Sequence, residues 1–341
     1  MIERLVDLGL LPDAALRFGM RRLLAARERE LARGGEDAAA ARDAAFLAAK
    51  RLGPVARHTP DANAQHYELP PAFFRLVLGP RTKYSGAFWH PGVRDLAEAE
   101  TAMLDLTLDR ADVRDGMRVL DLGCGWGALS MRVLERFPHC EVVAVSSSHA
   151  QRGHVEAERD RRGATSRLVV LTQDVTDLEV PGRFDRVVSV EMFEHLWNHE
   201  ALMERLADVL VPGGRLFVHV FAHRRRTYPF EDRGPADWMA RHFFTGGWMP
   251  SHDALGAART RLEPDEAWWV DGRHYARTAH AWLERLDVRR DEVLPVLAAT
   301  YGAGEARRWF HRWRVFFLAC EVCFGWRDGA VWGVSHRTFR R

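Results

Sequence analysis

Two carboxylates and an imidazole stand close together in the segment Val190-Glu-Met-Phe-Glu-His195, directly after an apolar run. If a helix starts here, Glu191, Glu194 and His195 fall at positions i, i+3 and i+4, on one face of one turn. A carboxylate in such a set can accept a proton from an amine or anchor its ammonium form, and an imidazole can relay the proton. The simpler alternative is a first-turn glutamate favoured by the helix dipole, next to a partly buried histidine.

The second candidate for a functional role is a glycine-rich segment, Val119-Leu-Asp-Leu-Gly-Cys-Gly-Trp-Gly127. An apolar run that reaches Asp121, a tight turn and helix-forming residues from Ala128 predict a strand, a loop and a helix. Glycines have no Cβ and let the backbone approach a ligand closely, as in loops that cradle nucleotides. The spacing differs from the dinucleotide fingerprint and from the P-loop. It resembles motif I of class I S-adenosylmethionine-dependent methyltransferases, which places Asp121, Gly123 and Gly125 at a cofactor.

The elements that must position these segments follow from the alternation of strands and helices after Arg118, which predicts an α/β fold with a doubly wound, mostly parallel sheet. In such sheets ligands bind beyond the carboxyl ends of the strands. The predicted strands are 118–122, 141–146, 167–172, 184–190 and 215–221, with helices at 128–136, 149–162 and 192–210. The loops expected to line one site are 122–127, 146–151, 173–177 and 190–195.

The flanking regions are predicted to be mainly helical. Residues 4–52 read as two helices broken at Gly34-Gly35, followed by a linker from Pro54 to Asn63 and helices near 73–78 and 95–109. Downstream, the pattern predicts a helix from a Ser251 cap to about 262, a strand over 266–274, helices within 278–325 and a last strand over 331–339. We therefore expect a helical N-terminal cap over 1–112 and a core over 113–341, with insertions at about 223–250 and 276–329.

Composition excludes several classes of protein. The chain has 341 residues, 47% hydrophobic and 28% charged, with a formal charge of +2, which gives no electrostatic case for nucleic acid. The basic cluster Arg224-Arg225-Arg226 is interpreted as a solvated face. No apolar run approaches the roughly 20 residues that span a bilayer. Four cysteines argue against a disulfide scaffold, Cys320 and Cys323 read as buried thiols, and we expect a cytoplasmic location.

Further candidate residues for cofactor binding lie after the second and third predicted strands, and others lie before the predicted core. Ser146 and Gln151 can hydrogen-bond a ribose diol, although a serine here can also cap the next helix. Asp174 is placed to receive an adenine amino group, or is only a turn or cap residue. Tyr84 and Ser85 are the best candidates to contact a sulfonium or carboxylate group, since a cation over an aromatic face gains roughly 0.5–2 kcal/mol.

Several segments together resemble the cyclopropane-fatty-acid synthase and mycolic-acid methyltransferase superfamily: H-Y-E-L-P-x-x-F-F from His66, Y-S-G-A-F-W from Tyr84, the glycine-rich segment and F-E-H. Within it, the likeness is closer to coclaurine-type N-methyltransferases, in Glu191–His195, His242–Ser251, Val270–Thr278 and Trp313–Phe317. The resemblance implies a seven-stranded class I methyltransferase with S-adenosylmethionine as cofactor, a small amine as substrate and no metal. It implies that Glu191, Glu194 and His195 are catalytic. Tyr84, Ser85, Asp121, Gly123, Gly125, Ser146, Gln151 and Asp174 would bind cofactor, and Tyr275, Trp313, Phe317 and Trp326 would line the substrate cavity.

Two positions depart from the lipid-modifying branch of that superfamily. Cyclopropane synthases usually carry Cys where Gly86 stands and Gly where Glu191 stands. The resemblance therefore favours an N-methyltransferase of an aromatic or cyclic amine over the alternative, methylation or cyclopropanation of an acyl chain. Gly86 is interpreted as widening the pocket. The sequence leaves open whether Glu191 is a base or an ammonium anchor, and whether the protein is a homodimer.

Overall fold

A seven-stranded sheet forms the centre of the computed structural model, which describes residues 2–57, 69–234 and 237–341. Part of the predicted linker, and the first residues of the segment that starts at His66, lie outside the described residues. The strands of the sheet are β1 (Arg118–Leu122), β2 (Glu141–Ser146), β3 (Leu168–Thr172), β4 (Phe184–Val190), β5 (Leu210–His223), β8 (Glu263–Val270) and β9 (Trp332–Arg340), while β6 (Tyr228–Pro229) and β7 (Trp248–Met249) pair separately.

The strand order is β3-β2-β1-β4-β5-β9-β8. The first five strands are parallel, and β9 runs antiparallel to both of its neighbours. The chain order reverses between β1 and β4, which opens a crevice beyond their carboxyl ends. The doubly wound sheet predicted from the sequence is confirmed, and it brings the loops after Leu122 and Val190 to the same edge.

Helices cover both faces of the sheet and its carboxyl edge. In chain order they are α1 (Ile2–Asp7), α2 (Asp13–Leu31), α3 (Gly35–Arg51), α4 (Pro71–Val77), α5 (Leu96–Arg110), α6 (Ala128–Arg136), α7 (His149–Arg161), α8 (His199–Val209), α9 (Trp238–His242), α10 (Gly272–Val288), α11 (Arg290–Tyr301) and α12 (Ala306–Phe324). Two hydrophobic cores flank the sheet, and a third joins α4, α5 and α10–α12. No helix among the described residues is long and apolar enough to cross a membrane.

The N-terminal helices are anchored to the loop that follows His195. The Lys50 ammonium group donates to the Leu196 carbonyl at 2.9 Å and lies 3.4 Å from the centre of the Trp248 ring. The Asn198 side chain donates to the carbonyls of Arg51 and Gly53 at the end of α3 and caps α8 by accepting from the Ala201 amide at 3.0 Å. These contacts fix the loop between β4 and α8, because its backbone polar groups are bonded to another part of the chain.

Several sequence predictions about local structure are wrong. A single helix over 192–210 does not form: Phe193–His195 is one 3₁₀ turn, Leu196 is extended, and α8 begins only after its Asn198 cap. Ser251 bridges to His223 instead of capping a long helix. The strand predicted over 266–274 ends at Val270, because the Asp271 side chain caps α10 through the Arg273 amide.

The basic cluster is also not a uniformly solvated face. Arg224 and Arg225 are exposed, but Arg226 is 9% exposed and pairs with Glu36 and Asp43 of α3. Its guanidinium therefore ties the end of β5 to the N-terminal helices. Cys320 is buried as predicted, whereas Cys323 is only partly buried, and both thiols are free.

Candidate functional site

Two cavities meet at the carboxyl edge of the sheet. The first, the glycine-loop cavity, has a volume of about 160 Å³ and is lined by residues 121–126 and by the ends of β2 and β4. The second, the apolar cavity, has a volume of about 570 Å³ and lies between α2, α12 and the segment after β5. Tyr84, Glu191 and His195 line both of them. A group held in one cavity therefore comes next to a group held in the other beside these three side chains.

Positive backbone torsions shape the glycine-loop cavity. Gly123, Gly125 and Gly127 have φ of 81°, 52° and 82°, a region that only glycine adopts readily. The amides of Gly123 and Cys124 donate to the Val145 carbonyl at 3.0 and 2.9 Å, which ties the turn to β2. A Cβ on Gly125 would meet nothing within 4 Å, whereas one on Gly123 would come within 2.9 Å of the Met192 side chain. The turn thus presents open space at Gly125 and a tight contact at Gly123.

Asp121 at the end of β1 holds the start of α6. Its carboxylate accepts from the Ser130 hydroxyl at 2.6 Å and from the Ser130 amide at 3.1 Å. Burial raises the pKa of Asp121 to about 6, against the lowering effect of the two Ser130 hydrogen bonds. Asp121 lines the cavity, so it both builds the strand–turn–helix unit and faces the site.

The other predicted cofactor residues divide into two groups. Ser146, Gln151, Tyr84 and Ser85 all line the glycine-loop cavity. The Ser146 hydroxyl donates to Gln151 Oε1 at 2.6 Å, while the buried Gln151 Nε2 has no hydrogen-bond partner among the residues that the structure describes. Asp174 does not line this cavity, although both of its chain neighbours do. Its carboxylate accepts from the Thr176 amide at 2.8 Å and caps a 3₁₀ turn, as the simpler interpretation allowed.

Glu191 is the most constrained side chain at the junction. Its Oε1 accepts from the Gly86 amide at 3.0 Å and lies 3.2 Å from His219 Nε2, and its Oε2 accepts from the Tyr275 hydroxyl at 2.7 Å. Its backbone is strained, with φ of 49°, a conformation that costs about 1–2 kcal/mol for a residue other than glycine. Burial raises the pKa of Glu191, and the nearby Lys83 ammonium and these donors oppose that rise.

Glu194 and His195 complete the predicted set but do not play equal parts. Glu194 lines neither cavity; its Oε1 accepts from the Phe221 amide at 2.7 Å, and its Oε2 has no hydrogen-bond partner within the described ranges 2–57, 69–234 and 237–341. Burial and the charge of Glu191 raise the pKa of Glu194 well above the usual value, which favours the protonated form of this carboxyl group. Burial lowers the pKa of His195 to about 4, so its imidazole is neutral at pH 7. A neutral imidazole beside a fixed carboxylate can accept a proton.

Lys83 supports the junction from the side of the glycine-loop cavity. Its ammonium group donates to the Ser85 hydroxyl and to the Gly86 carbonyl at 2.6 Å. Burial lowers its pKa to about 8, while the charge of Glu191 opposes that change. Lys83 thereby fixes the turn at Gly86, whose amide donates to Glu191.

Aromatic and aliphatic side chains dominate the apolar cavity, and they differ in part from those expected. Tyr275 lines it as predicted, but Trp313, Phe317 and Trp326 do not. Trp313 and Phe317 are fully buried in the core, and the Trp326 indole donates to Glu28 at 2.7 Å. The face of α12 that does line the cavity carries Phe316, Ala319, Cys320, Cys323 and Phe324. This i, i+3, i+4, i+7, i+8 pattern was visible in the sequence, but the neighbouring stripe through Trp313 and Phe317 was equally apolar.

Gly86 does not widen the cavity as interpreted from the sequence. A Cβ at this position would lie 3.0 Å from Cδ1 of the Tyr275 ring, so the ring occupies the space that a larger residue would need. The close approach helps to keep the Tyr275 hydroxyl on Glu191. Among the described residues, no group of three or more His, Cys, Asp or Glu side chains is arranged to hold a metal ion.

Sequence reasoning missed His219, Lys83 and the contact between Tyr275 and Glu191. The signal for His219 was its position inside the apolar strand Leu216-Phe-Val-His-Val-Phe221, since a buried imidazole in such a run needs a polar partner. Its partner, Glu191, belongs to the neighbouring strand end, and only the sheet register brings the two together.

The chain is similar to known proteins over most or all of its length. Residues 56–333 match the family model described as mycolic acid cyclopropane synthetase. An (S)-coclaurine N-methyltransferase of Thalictrum flavum subsp. glaucum is 31% identical, over 98% of this chain and 94% of its own. A solved coclaurine N-methyltransferase bound to N-methylheliamine and SAH superposes with a TM-score of 0.96 at 31% identity, over 100% of this chain and 99% of its own. A cyclopropane synthase from Mycobacterium tuberculosis gives 0.68 at 26% identity, over 85% of this chain and 100% of its own.

Proposed function

Since the chain belongs to the mycolic acid cyclopropane synthetase family and is an S-adenosylmethionine-dependent N-methyltransferase, we propose that it methylates a small aromatic or cyclic amine. The observation that supports this substrate most strongly is the junction, where Glu191 and His195 face both the glycine-loop cavity and an apolar cavity of about 570 Å³. That volume suits a small organic molecule, and the lining of aromatic side chains suits a ring.

The residues of the glycine-loop cavity fit the cofactor. When bound, S-adenosylmethionine supplies a methyl group on an already activated sulfonium, so the protein mainly has to position the reactants. Gln151 Nε2 offers a buried donor that has no partner in the described part of the chain, and Gly125 leaves open space where a side chain would intrude. We propose that Tyr84, Ser85, Asp121, Gly123, Gly125, Ser146 and Gln151 hold the cofactor, with Asp174 at the edge of the site.

On the amine side, we assign different roles to the three predicted catalytic residues. Glu191, held by three donors, anchors the positive charge that develops on the nitrogen. His195, which is neutral at pH 7, accepts the proton that the amine loses when it is alkylated. Glu194 stays protonated and supports the strand edge through the Phe221 amide. Tyr275, together with Phe316 and Phe324, contributes to the wall that receives the ring.

The wider organisation is part of the same proposal. Residues 1–112 act as a cap over the site, and residues 113–341 form the methyltransferase core with its insertions. The remaining expectations, a cytoplasmic enzyme that does not bind nucleic acid and does not insert stably into a membrane, are proposed alongside it.

The decisive experiment is incubation with methyl-labelled S-adenosylmethionine and two substrate panels, read by mass spectrometry. One panel contains cyclic and aromatic amines, and the other contains phospholipids with unsaturated acyl chains. We expect label on an amine nitrogen, a gain of one methyl group, and loss of this product in Glu191→Gln. Label confined to the lipids, as an added methyl or methylene group, would instead establish the acyl-chain alternative. That alternative is tested because the chain is also similar to a cyclopropane synthase.

A further inference from the structure

Behind Glu191, a line of hydrogen bonds runs through two strands to the end of α5. Glu191 Oε1 lies 3.2 Å from His219 Nε2, His219 Nδ1 lies 2.9 Å from His336 Nε2, and His336 Nδ1 lies 2.8 Å from the Arg110 guanidinium. His219 on β5 and His336 on β9 are direct cross-strand partners, and both are fully buried. The register of the antiparallel pair thus places two imidazoles in one line with the carboxylate at the junction.

The chemistry of Arg110 fixes the direction of this line. A guanidinium can only donate, so His336 Nδ1 must accept and the proton of a neutral His336 must sit on Nε2. That proton is then donated to His219 Nδ1, which leaves the proton of a neutral His219 on Nε2, facing Glu191. Every bond in the line therefore points towards the carboxylate.

The surroundings keep both imidazoles neutral. Burial lowers the pKa values of His219 and His336 well below the usual range, and the charges of Arg110 and Lys83 lower them further. The titratable and charged groups that face the pair are Glu191, Lys83 and Arg110, which lie on three separate segments of the chain. Arg110 itself is half-buried at the end of α5, 4.9 Å above the Trp268 ring.

We infer that Arg110 and His336 are positioning residues for methyl transfer, which fix the tautomer of His219 and so hold Glu191 as a charged acceptor at the junction of the two cavities. The inference rests on the proposed function and deepens it. Because a guanidinium cannot accept a proton, the line cannot export the proton that the reaction releases. Glu191 then acts as an ammonium anchor, and the proton leaves by way of His195.

The test compares Arg110→Met with Arg110→Lys. Lysine keeps a donor that cannot accept, so we expect it to retain the kcat of the wild type, within about threefold. Methionine removes the donor, so the tautomers of the two histidines are no longer fixed. We expect kcat to fall about tenfold, the lower end of the loss seen when the hydrogen-bond partner of a metal-bound histidine is removed. The affinity for S-adenosylmethionine and the midpoint of thermal unfolding should be similar in both variants. Equal kcat in the two variants would overturn the inference.

A second measurement does not depend on the substrate. In ¹⁵N NMR spectra of the histidine rings, the wild-type protein should show His219 and His336 with the proton on Nε2 from pH 6 to 8, assigned with His336→Gln. In Arg110→Met a mixture of tautomers should appear. A wild-type His219 with its proton on Nδ1 would overturn the inference, whatever the enzyme methylates. If the tautomers are as expected but no amine is methylated, the fault lies with the proposed substrate.

Discussion

The glycine-loop cavity and the apolar cavity are built in different ways. The first is formed mainly by strand ends and the turns that directly follow them, so most of its wall comes from a few short stretches of β1–β4. The second is assembled from α2, which lies near the start of the chain, and from the 228–249 segment, α10 and α12, which all lie in its second half. Backbone conformation shapes the first cavity, whereas side-chain packing shapes the second.

This difference explains how each cavity can be specialised. A turn made of glycines at positive φ tolerates little change, because any Cβ adds strain or enters the cavity. A wall of packed aromatic rings can exchange one ring for another of similar volume at a modest cost in stability. We therefore expect the glycine-loop cavity to keep one ligand while the apolar cavity sets which amine is used.

The largest effect is expected where the cavities meet. Glu191→Gln keeps the shape of the side chain but removes the charge, and we expect kcat for the amine to fall about a thousandfold, since electrostatic stabilisation is among the largest catalytic terms. Affinity for S-adenosylmethionine, measured by isothermal titration, should change less than threefold. Glu141→Gln, at an exposed carboxylate on β2, is the control. Substantial activity in Glu191→Gln would show that the junction is not the reacting centre.

The sequence predicts the parallel half of the fold well, because local patterns determine it. The apolar runs of β1, β2 and β4 and the glycine turn agree with the structure almost to the residue. The sequence-based prediction fails at Phe193–His195, because tertiary contacts determine the conformation there. The amides of Trp197 and Asn198 donate to the carbonyls of residues 54 and 55 in the N-terminal segment. Local helical propensity could not reveal that this loop is anchored by a distant part of the chain.

The residues of the candidate site differ in the same way: those set by local patterns were predicted from the sequence, and those set by tertiary contacts were not. Gly123 and Gly125 follow from one contiguous motif, and Ser146 and Gln151 follow from the end of the next strand; the structure brings all four to one cavity. The line of His219 and His336 depends on the register of two strands more than 100 residues apart, which no local pattern encodes. On α12, the sequence predicted that Trp313 and Phe317 line the substrate cavity, whereas the face with Phe316 lines the apolar cavity. Both faces of the helix are apolar, so only packing distinguishes them.

The two stripes of α12 offer a matched pair of variants. Phe317→Ala opens a void in the core, and we expect the free energy of unfolding to fall by about 3–5 kcal/mol. Phe316→Ala opens onto the apolar cavity, so it should destabilise less but raise the KM for the amine. Urea unfolding and initial rates on each purified variant separate the two effects. A larger change of KM in Phe317→Ala than in Phe316→Ala would mean that the cavity wall has been assigned wrongly.

Acid should loosen the part of the protein beside the junction. Burial lowers the pKa of His195 to about 4 and that of His199 to about 3, while both are near 6.5 in the unfolded chain. Below pH 6.5 the unfolded state binds protons that the folded state does not, so stability is lost as pH falls. Each histidine contributes about 1.4 kcal/mol per pH unit in that window. Urea unfolding between pH 7 and 5 measures the slope, which His199→Phe should reduce; an unchanged slope would contradict the role of His199.

The smallest expected effect tests whether backbone shape alone defines the glycine-loop cavity. Gly125→Ala adds a methyl group to a residue that lines the cavity, at a position where nothing lies within 4 Å, and we expect the Kd for S-adenosylmethionine to rise about tenfold, or about 1.4 kcal/mol. Gly163→Ala is a matched control, because Gly163 also has a positive φ, of 64°, and open space around it, but lies on a loop outside both cavities. Both variants carry the same kind of backbone strain, so only the position of the methyl group differs. Equal affinities in the two variants would mean that the turn holds its ligand loosely, and that the contrast between the two cavities is smaller than their construction suggests.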